Sequence, residues 1–154
     1  MIKYKLPYLM VFSLIAFNTF SKSNETQIEH EVLAAFDQLV TASKNLDAKH
    51  YFKLIDTEKF VGLDSDGTNW NSIEDLKPLI TIGFSAIKTI SSLEFTNIKV
   101  SVIDSQTAIL VNEFTQSFTL QNDQSMTISG GGAQVWHKKN GSWKIVSISA
   151  GIKH

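Results

Sequence analysis

The sequence predicts an α+β fold in which helices from the first half of the chain cover a long antiparallel sheet from the second half. Apolar residues recur at helical spacing over residues 24–46, which indicates a helix with one buried face. Three segments rich in β-branched and aromatic residues fill the chain from Thr107 to Ile152, and polar turns separate them. Three glycines at 130–132 permit the sheet to bend sharply.

The composition excludes several classes of function. A chain of 154 residues with 43% apolar residues has the size of one domain with a hydrophobic core. It contains no cysteine and no arginine, which excludes disulfides, thiolate chemistry and bidentate binding of phosphate. The formal net charge is −1, so a nucleic-acid partner is not expected. No two histidines have the spacing of metal ligands, and we expect neither a metal site nor a cofactor.

Residues 1–23 have the pattern of a secretory signal peptide. Lys3 and Lys5 form a short basic region, an apolar run follows from Leu6 to Phe20, and small residues precede a cleavage site after Ser23. The alternative is an uncleaved membrane anchor, but a run of about fifteen residues is shorter than the roughly twenty needed to span a bilayer. We therefore expect an exported protein, periplasmic or secreted, whose domain comprises residues 24–154 and which does not remain in a membrane after cleavage.

Three helices and a short strand are expected before the sheet. Each helix has a residue near its start that can accept a hydrogen bond from the first turn, namely Thr26, Asp47 and Ser72. The predicted helices are residues 24–46, 47–55 and 72 to about 91, with a strand at 59–63 and a turn at 64–67 between the last two.

Four strands are expected after the third helix. The dipeptide Asn140-Gly141 is a strong hairpin signal, because a type I′ turn needs positive φ at both central positions. The predicted strands are residues 93–103, 107–120, 126–138 and 142–152.

Two segments carry a resemblance to a known family. Residues 60–68 read Phe-Val-Gly-Leu-Asp-Ser-Asp-Gly-Thr, and residues 133–146 end in Gly-Ser-Trp-Lys-Ile-Val. With the first helix, they make the chain similar to the nuclear transport factor 2-like superfamily, in particular its SnoaL-like branch, over nearly all of residues 24–154. The resemblance implies a cone-shaped, strongly curved antiparallel sheet packed on N-terminal helices, also described as a cystatin-like roll. It also implies a pocket at the open end of the cone and a homodimer through the outer face of the sheet.

Alternation along the strands predicts which side chains line that pocket. On the strand 107–120, Asn112, Phe114 and Gln116 share a face with other apolar residues, and this face is expected to point inward. Amides among apolar neighbours must find hydrogen-bond partners, and a ligand is one candidate. Gln134 and Trp136 are two residues apart on the next strand, so their side chains point to the same face of the sheet. With Trp70 added, the predicted ligand-binding residues are Trp70, Asn112, Phe114, Gln116, Gln134 and Trp136.

Two groups of residues are weak candidates for catalysis. Glu113 is an acid inside a strand, and burial would raise its pKa and make it a general base; the alternative is a solvated or lysine-paired carboxylate on the outer face. Asp47, His50 and Tyr51 are close in sequence and could support acid–base chemistry. The alternative for this group is a helix cap with an exposed histidine.

Departures from the enzymes of the family argue against catalysis. The resemblance includes epoxide hydrolases of this fold, which have an Asp-Arg-Asp arrangement. This chain has no arginine, so it does not match them. Relatives often carry a histidine just after the Trp-Lys-Ile-Val segment, where this chain has Ser147-Ile148-Ser149-Ala150. We therefore expect an exported domain that binds a small apolar ligand without catalysis. The alternatives are a lyase or isomerase that uses one of the two groups above, and a dimeric protein-interaction module.

Overall fold

The structure, a computed structural model, describes residues 14–153, and the basic and early apolar parts of the predicted signal segment lie outside them. Its elements are α1 (Leu14–Lys44), α2 (Ala48–Lys53), β1 (Val61–Leu63), β2 (Asn69–Trp70), α3 (Ile73–Ala86), β3 (Ile87–Asp104), β4 (Thr107–Leu120), β5 (Ser125–Lys139) and β6 (Ser142–Ile152). The α+β class is confirmed, with N-terminal helices and a curved, unclosed sheet. The predicted bounds of β4 and β6 are also confirmed.

Six strands form the sheet in the order β2-β1-β6-β5-β4-β3. The four long strands make an antiparallel meander, and β1 joins it in parallel beside β6. The two-residue strand β2 pairs with β1 and was not expected from the sequence. The sheet therefore ends in a short strand on one side and in the 18-residue β3 on the other.

The third helix ends earlier than the sequence predicts. It stops at Ala86, and β3 begins at once with Ile87 opposite Leu120. Gln121 fixes this transition, because its backbone N–H donates to the carbonyl of Ala86 and its side-chain amide donates to the carbonyls of Ser85 and Ile87. A pairing partner distant in the sequence thus determines where the helix ends.

Two of the three predicted helix starts follow their local signals; the first is wrong, because α1 begins at Leu14 and Thr26 lies inside it, where its hydroxyl donates to the carbonyl of Lys22. The Asp47 carboxylate accepts the backbone N–H of His50, and the Ser72 hydroxyl accepts that of Glu74, so both residues cap their helices. Asn140 and Gly141 have φ values of 52° and 79°, which confirms the tight turn between β5 and β6.

The core fills one end of the concave sheet face. The buried stripe of α1 packs against this face, and the ring of Phe36 meets that of Phe95 edge-on at 5.0 Å. Ala108, Leu110, Trp136 and Ile145 lie beneath the helix with no exposed surface. The packed core thus occupies the half of the face nearest the β5–β6 turn.

One partly buried carboxylate joins α1 to that turn. Glu31 accepts hydrogen bonds from the Lys138 ammonium at 2.6 Å and from the Trp143 indole N–H at 2.9 Å. The Lys138 ammonium also lies 5.8 Å from the centre of the Trp143 ring. These bonds lower the pKa of Glu31 from 4.5 to about 2. Both groups that donate to the Glu31 carboxylate come from the β5–β6 hairpin, so Glu31 fixes α1 against the meander.

Replacing Glu31 with glutamine should make stability less dependent on pH. The pKa of Glu31 is lower in the folded chain than in the unfolded one, so its contribution is complete above pH 4.5 and is lost as the pH falls towards 2. Because the side chain is about a third exposed, we expect a difference of about 1 kcal/mol at pH 7 between wild type and Glu31→Gln. Urea denaturation at pH 7 and pH 3 measures it, and a difference that does not shrink at pH 3 would contradict the assignment.

Candidate functional site

Burial along the concave face of the sheet is uneven: the face is fully buried near the β5–β6 turn, half-buried around Gly132 (called here the open half), and buried again at Gly130 and Phe118. Residues 108 and 110 on β4 and residue 136 on β5 are fully buried, whereas Phe114, Gln116 and Gly132, farther along the same strands, are half-buried. The pairing of β4 with β5 runs from Thr107↔His137 to Thr119↔Ser125 without a register shift. The even-numbered residues of both strands therefore face the helices over this whole length.

Small residues form the floor of the open half. Asn112 lies opposite Gly132, which in turn lies opposite Ala150 of β6. Among the described residues, a methyl group added at Gly132 would meet within 4 Å only the carbonyl oxygen of Ser149, at 3.3 Å. At Gly130 the same methyl group would lie 2.1 Å from the carbonyl oxygen of Gly151 and 2.8 Å from the Phe114 ring. We call the space above Gly132 the hollow; the Phe114 ring bounds it on one side.

Two amide side chains lie at the boundary between the filled core and the hollow. Asn112 is 7% exposed and Gln134 is 8% exposed. The oxygen of Gln134 accepts the indole N–H of Trp136 at 3.1 Å. Asn112 makes no side-chain hydrogen bond within the part of the chain that the structure describes. Of the predicted ligand-binding residues, Asn112, Phe114, Gln116 and Gln134 are thus brought together on one face.

The other two predicted ligand-binding residues lie in the packed part of the fold. Trp136 is 0% exposed and lies under α1. Trp70 stacks on Phe60 with ring centres 6.4 Å apart, and its ring covers Gly62 at the β1 end of the sheet. Both indoles therefore pack within the core beside the hollow.

Apart from Lys138, which pairs with Glu31 near the β5–β6 turn, the described part of the inner face of β4 and β5 carries no ionisable side chain. The even-numbered residues 108–118 of β4 and 126–136 of β5 are apolar residues, glycines and amides. The residues of β3 paired to the inner face of β4 are likewise apolar. Proton transfer in the hollow would need a group from elsewhere in the fold.

Tyr51 is an ionisable group within the apolar packing. Its ring meets Phe84 of α3 edge-on at 5.8 Å and Phe52 at 5.7 Å. Burial raises the pKa of Tyr51 to about 12, so the phenol is neutral at physiological pH. It can donate a hydrogen bond but does not act as a base there.

Glu113 lies on the outer face of the sheet. Its carboxylate accepts a hydrogen bond from the Lys153 ammonium at 2.9 Å and another from the Asn97 amide. Both lower its pKa, whereas a general base buried in the cone would have a raised pKa. The geometry is that of a lysine-paired carboxylate.

The structure separates Asp47 and His50 from Tyr51. The Asp47 carboxylate contacts Nδ1 of His50, which is 63% exposed, and hydrogen bonds from the His50 backbone and ring lower the pKa of Asp47. The pair borders a groove of about 570 Å³ between α1, α2 and Lys144. This groove lies along the solvent side of α1, apart from the concave face of the sheet.

The outer face of the sheet presents exposed aliphatic side chains in two cross-strand rows, which we call the aliphatic rows. Val61, Leu63, Ile109 and Val111 in these rows are all exposed. The first row is Val61, Ser147, Val135 and Ile109, and the second is Leu63, Ser149, Ala133 and Val111. Beyond Glu113 the same face changes to paired hydroxyls such as Ser117 with Thr127.

A family model identifies the family of the chain, and solved structures show its fold. The sequence model of the SnoaL-like domain matches residues 32–152. No curated protein matches the chain.

Three solved structures illustrate the likeness in fold. A nuclear transport factor 2-like superfamily protein from Salmonella enterica superposes with a TM-score of 0.74 at 13% identity, covering 84% of this chain and 93% of its own. A Caulobacter vibrioides protein with a cystatin-like fold gives 0.69 at 14% identity, covering 83% and 91%. The association domain of Caenorhabditis elegans CaMKII gives 0.68 at 20% identity, covering 82% and 97%. At these identities, the likeness shows the fold alone.

Replacing Gln134 with leucine should destabilise the protein by about 1–3 kcal/mol, because the buried indole N–H of Trp136 loses its acceptor. Gln116→Leu is the matched control, since Gln116 is half-buried on the same face and makes no side-chain hydrogen bond within the described residues. We expect the control to change the free energy of unfolding by less than about 0.5 kcal/mol. Urea denaturation measures both, and equal losses would contradict the role of Gln134.

Proposed function

The chain belongs to the SnoaL-like domain family, and from this we propose that it is an exported domain that binds a small, mostly apolar molecule in the hollow without catalysing a reaction on it. The observation that carries the proposal is the chemistry of the concave face. Among the described residues, a methyl group added at Gly132 would meet within 4 Å only the carbonyl oxygen of Ser149, and the aromatic ring of Phe114 and the amide residues Asn112 and Gln134 share this face. Binding pockets for small molecules commonly combine apolar walls with a few polar groups that orient the ligand.

The same face supports binding over catalysis. A lyase or isomerase needs a titratable group within hydrogen-bond reach of the reacting atom. Glu113 is paired with Lys153 on the opposite face of the sheet. The Asp47–His50 pair borders a different groove on the solvent side of α1. Tyr51, with its pKa raised to about 12, can donate a hydrogen bond but is no base at neutral pH.

Export is supported by the sequence pattern of residues 1–23. Among the described residues, no helix is both long enough and apolar enough to cross a membrane. The cleavage site proposed after Ser23 lies within α1. A signal peptidase requires an accessible segment, so we propose that cleavage precedes the folding of this helix.

A homodimer through the aliphatic rows is a second element of the proposal. Exposed Val and Ile side chains in adjacent rows are a typical interaction surface when they form a contiguous patch. The rows extend over four adjacent strands, and the charged pair Glu113–Lys153 borders them. The structural neighbour from C. elegans is an association domain, which supports assembly through this fold.

Filling the hollow should block binding of a neutral apolar probe. We expect Gly132→Leu to bind N-phenyl-1-naphthylamine about tenfold more weakly, because the new side chain occupies the space above the strand. Gly131→Leu adds the same volume on the opposite face and should bind the probe as wild type does. Fluorescence titration measures affinity, and thermal denaturation verifies that both variants fold. No binding by wild type, or equal loss in both variants, would contradict the proposal.

A charge in the aliphatic rows should separate the dimer. Val111 is 41% exposed in the second row, and Val111→Lys would bury an unpaired ammonium in the interface. Ser117→Lys places the same charge on the same strand and face, but among the paired hydroxyls. Light scattering coupled to size-exclusion chromatography should report a monomer for the first variant and a dimer for wild type and the second. A monomeric wild type would contradict the dimer.

A further inference from the structure

The orientation of one buried amide determines what the hollow offers to a ligand. An indole N–H can only donate a hydrogen bond, so Gln134 must turn its oxygen, and not its nitrogen, towards Trp136. The atom left over is the amide nitrogen, a donor with two hydrogens. Within the described residues this nitrogen donates no hydrogen bond, and Gln134 as a whole is 8% exposed. The hollow therefore presents a fixed donor at its inner border.

A second amide lies close to the first. Asn112 is diagonal to Gln134 across the β4–β5 pair, because Asn112 lies opposite Gly132 and Gln134 lies opposite Leu110. Diagonal neighbours on one face of an antiparallel pair are about 7 Å apart between Cα atoms. Asn112 as a whole is 7% exposed, and its amide makes no side-chain hydrogen bond among the described residues. One small polar group of a ligand can contact both amides.

The surroundings determine the charge of that group. Among the described residues of β4 and β5, the one ionisable side chain on the inner face is Lys138, at the β5–β6 turn, where it is paired with Glu31. The lysines nearest in sequence, Lys138 and Lys139, bind Glu31, Asp56 and Glu58 outside the hollow. A carboxylate or an ammonium would enter an apolar space without a counter-ion, which strongly disfavours it. A pure hydrocarbon would leave both amides without partners, which disfavours it as well.

We infer that the hollow selects neutral molecules that carry a hydrogen-bond acceptor, such as a ketone, ester or ether oxygen, and that Gln134 and Asn112 are the residues that determine this specificity. The inference rests on the proposed binding function and names its ligand class. The Gln134 nitrogen donates to the acceptor oxygen, and the Asn112 amide supplies the second hydrogen bond. The apolar part of the ligand contacts Phe114 and lies above Gly132.

Three probes of nearly equal shape test the ligand class. They are 2-acetylnaphthalene, a neutral ketone; 2-isopropenylnaphthalene, its hydrocarbon analogue; and 2-naphthoate, an anion. Each is titrated against wild-type protein loaded with N-phenyl-1-naphthylamine, and displacement of the dye gives its affinity. Two hydrogen bonds should favour the ketone over the hydrocarbon by about tenfold, and the anion should bind more weakly than either.

Two variants assign the preference to the amides. Gln134→Glu keeps an oxygen for the Trp136 indole but removes the donor while the carboxylate is ionised. The preference for the ketone should fall to about threefold, the part that Asn112 supplies, at about pH 9 and recover at lower pH, because the buried carboxyl group, once protonated, can donate again. Asn112→Leu should reduce the preference about threefold at every pH. Thr115→Val, on the outer face of β4, should leave the preference unchanged.

The outcomes separate this inference from the proposal on which it rests. If no probe binds wild type, the binding function itself is wrong. If ketone and hydrocarbon bind equally, or if Gln134→Glu keeps the full preference at about pH 9, the hollow binds ligands but the amides do not select them. Because the preference is a ratio measured on one protein, a variant that still binds the hydrocarbon is folded, and its ratio is valid.

Discussion

The uninterrupted register between β4 and β5 is the constraint on which the site depends. A strand turns successive side chains to opposite faces, so one register decides for both strands which residues meet the helices. With Asn112 opposite Gly132, amides, glycines and aromatic rings face inward and Glu113 faces outward. A slip of one residue would turn Glu113 and Thr115 inward and expose Leu110, which has no exposed surface in the native fold. The buried core thus holds the pocket in register.

Signals carried by neighbouring residues made much of this fold predictable. The alternation along β4 identified Asn112, Phe114 and Gln116 as inward residues, and Asn140-Gly141 identified the turn between β5 and β6. The parallel addition of β1 to β6 and the early end of α3 were not predictable, because each depends on a partner distant in the sequence. Gln121, for example, bonds to carbonyls some 35 residues earlier.

The site was less predictable than the fold, and irregular pairing is the reason. Between Val135 and Trp136 the register against β6 shifts by one residue. Alternation from Ile145 alone would place Ser147 on the inner face, but the shift brings Ile148 inward opposite Gln134. The predicted group of Asp47, His50 and Tyr51 failed to converge for a similar reason, since packing against Phe84 of α3 turns the Tyr51 ring away from the other two.

The distribution of charge gives the hollow its selectivity. The ion pairs of Asp56 with Lys139 and of Glu113 with Lys153 form away from the concave face, and the pair of Glu31 with Lys138 joins α1 to the end of this face nearest the β5–β6 turn. They fix the helix, the hairpin and the C-terminal segment without placing an unpaired charge inside. Polar recognition there depends on hydrogen-bond direction, and the direction of the Gln134 amide is dictated by a tryptophan that can only donate. A residue of the packed core thereby determines which atom the pocket offers to its ligand.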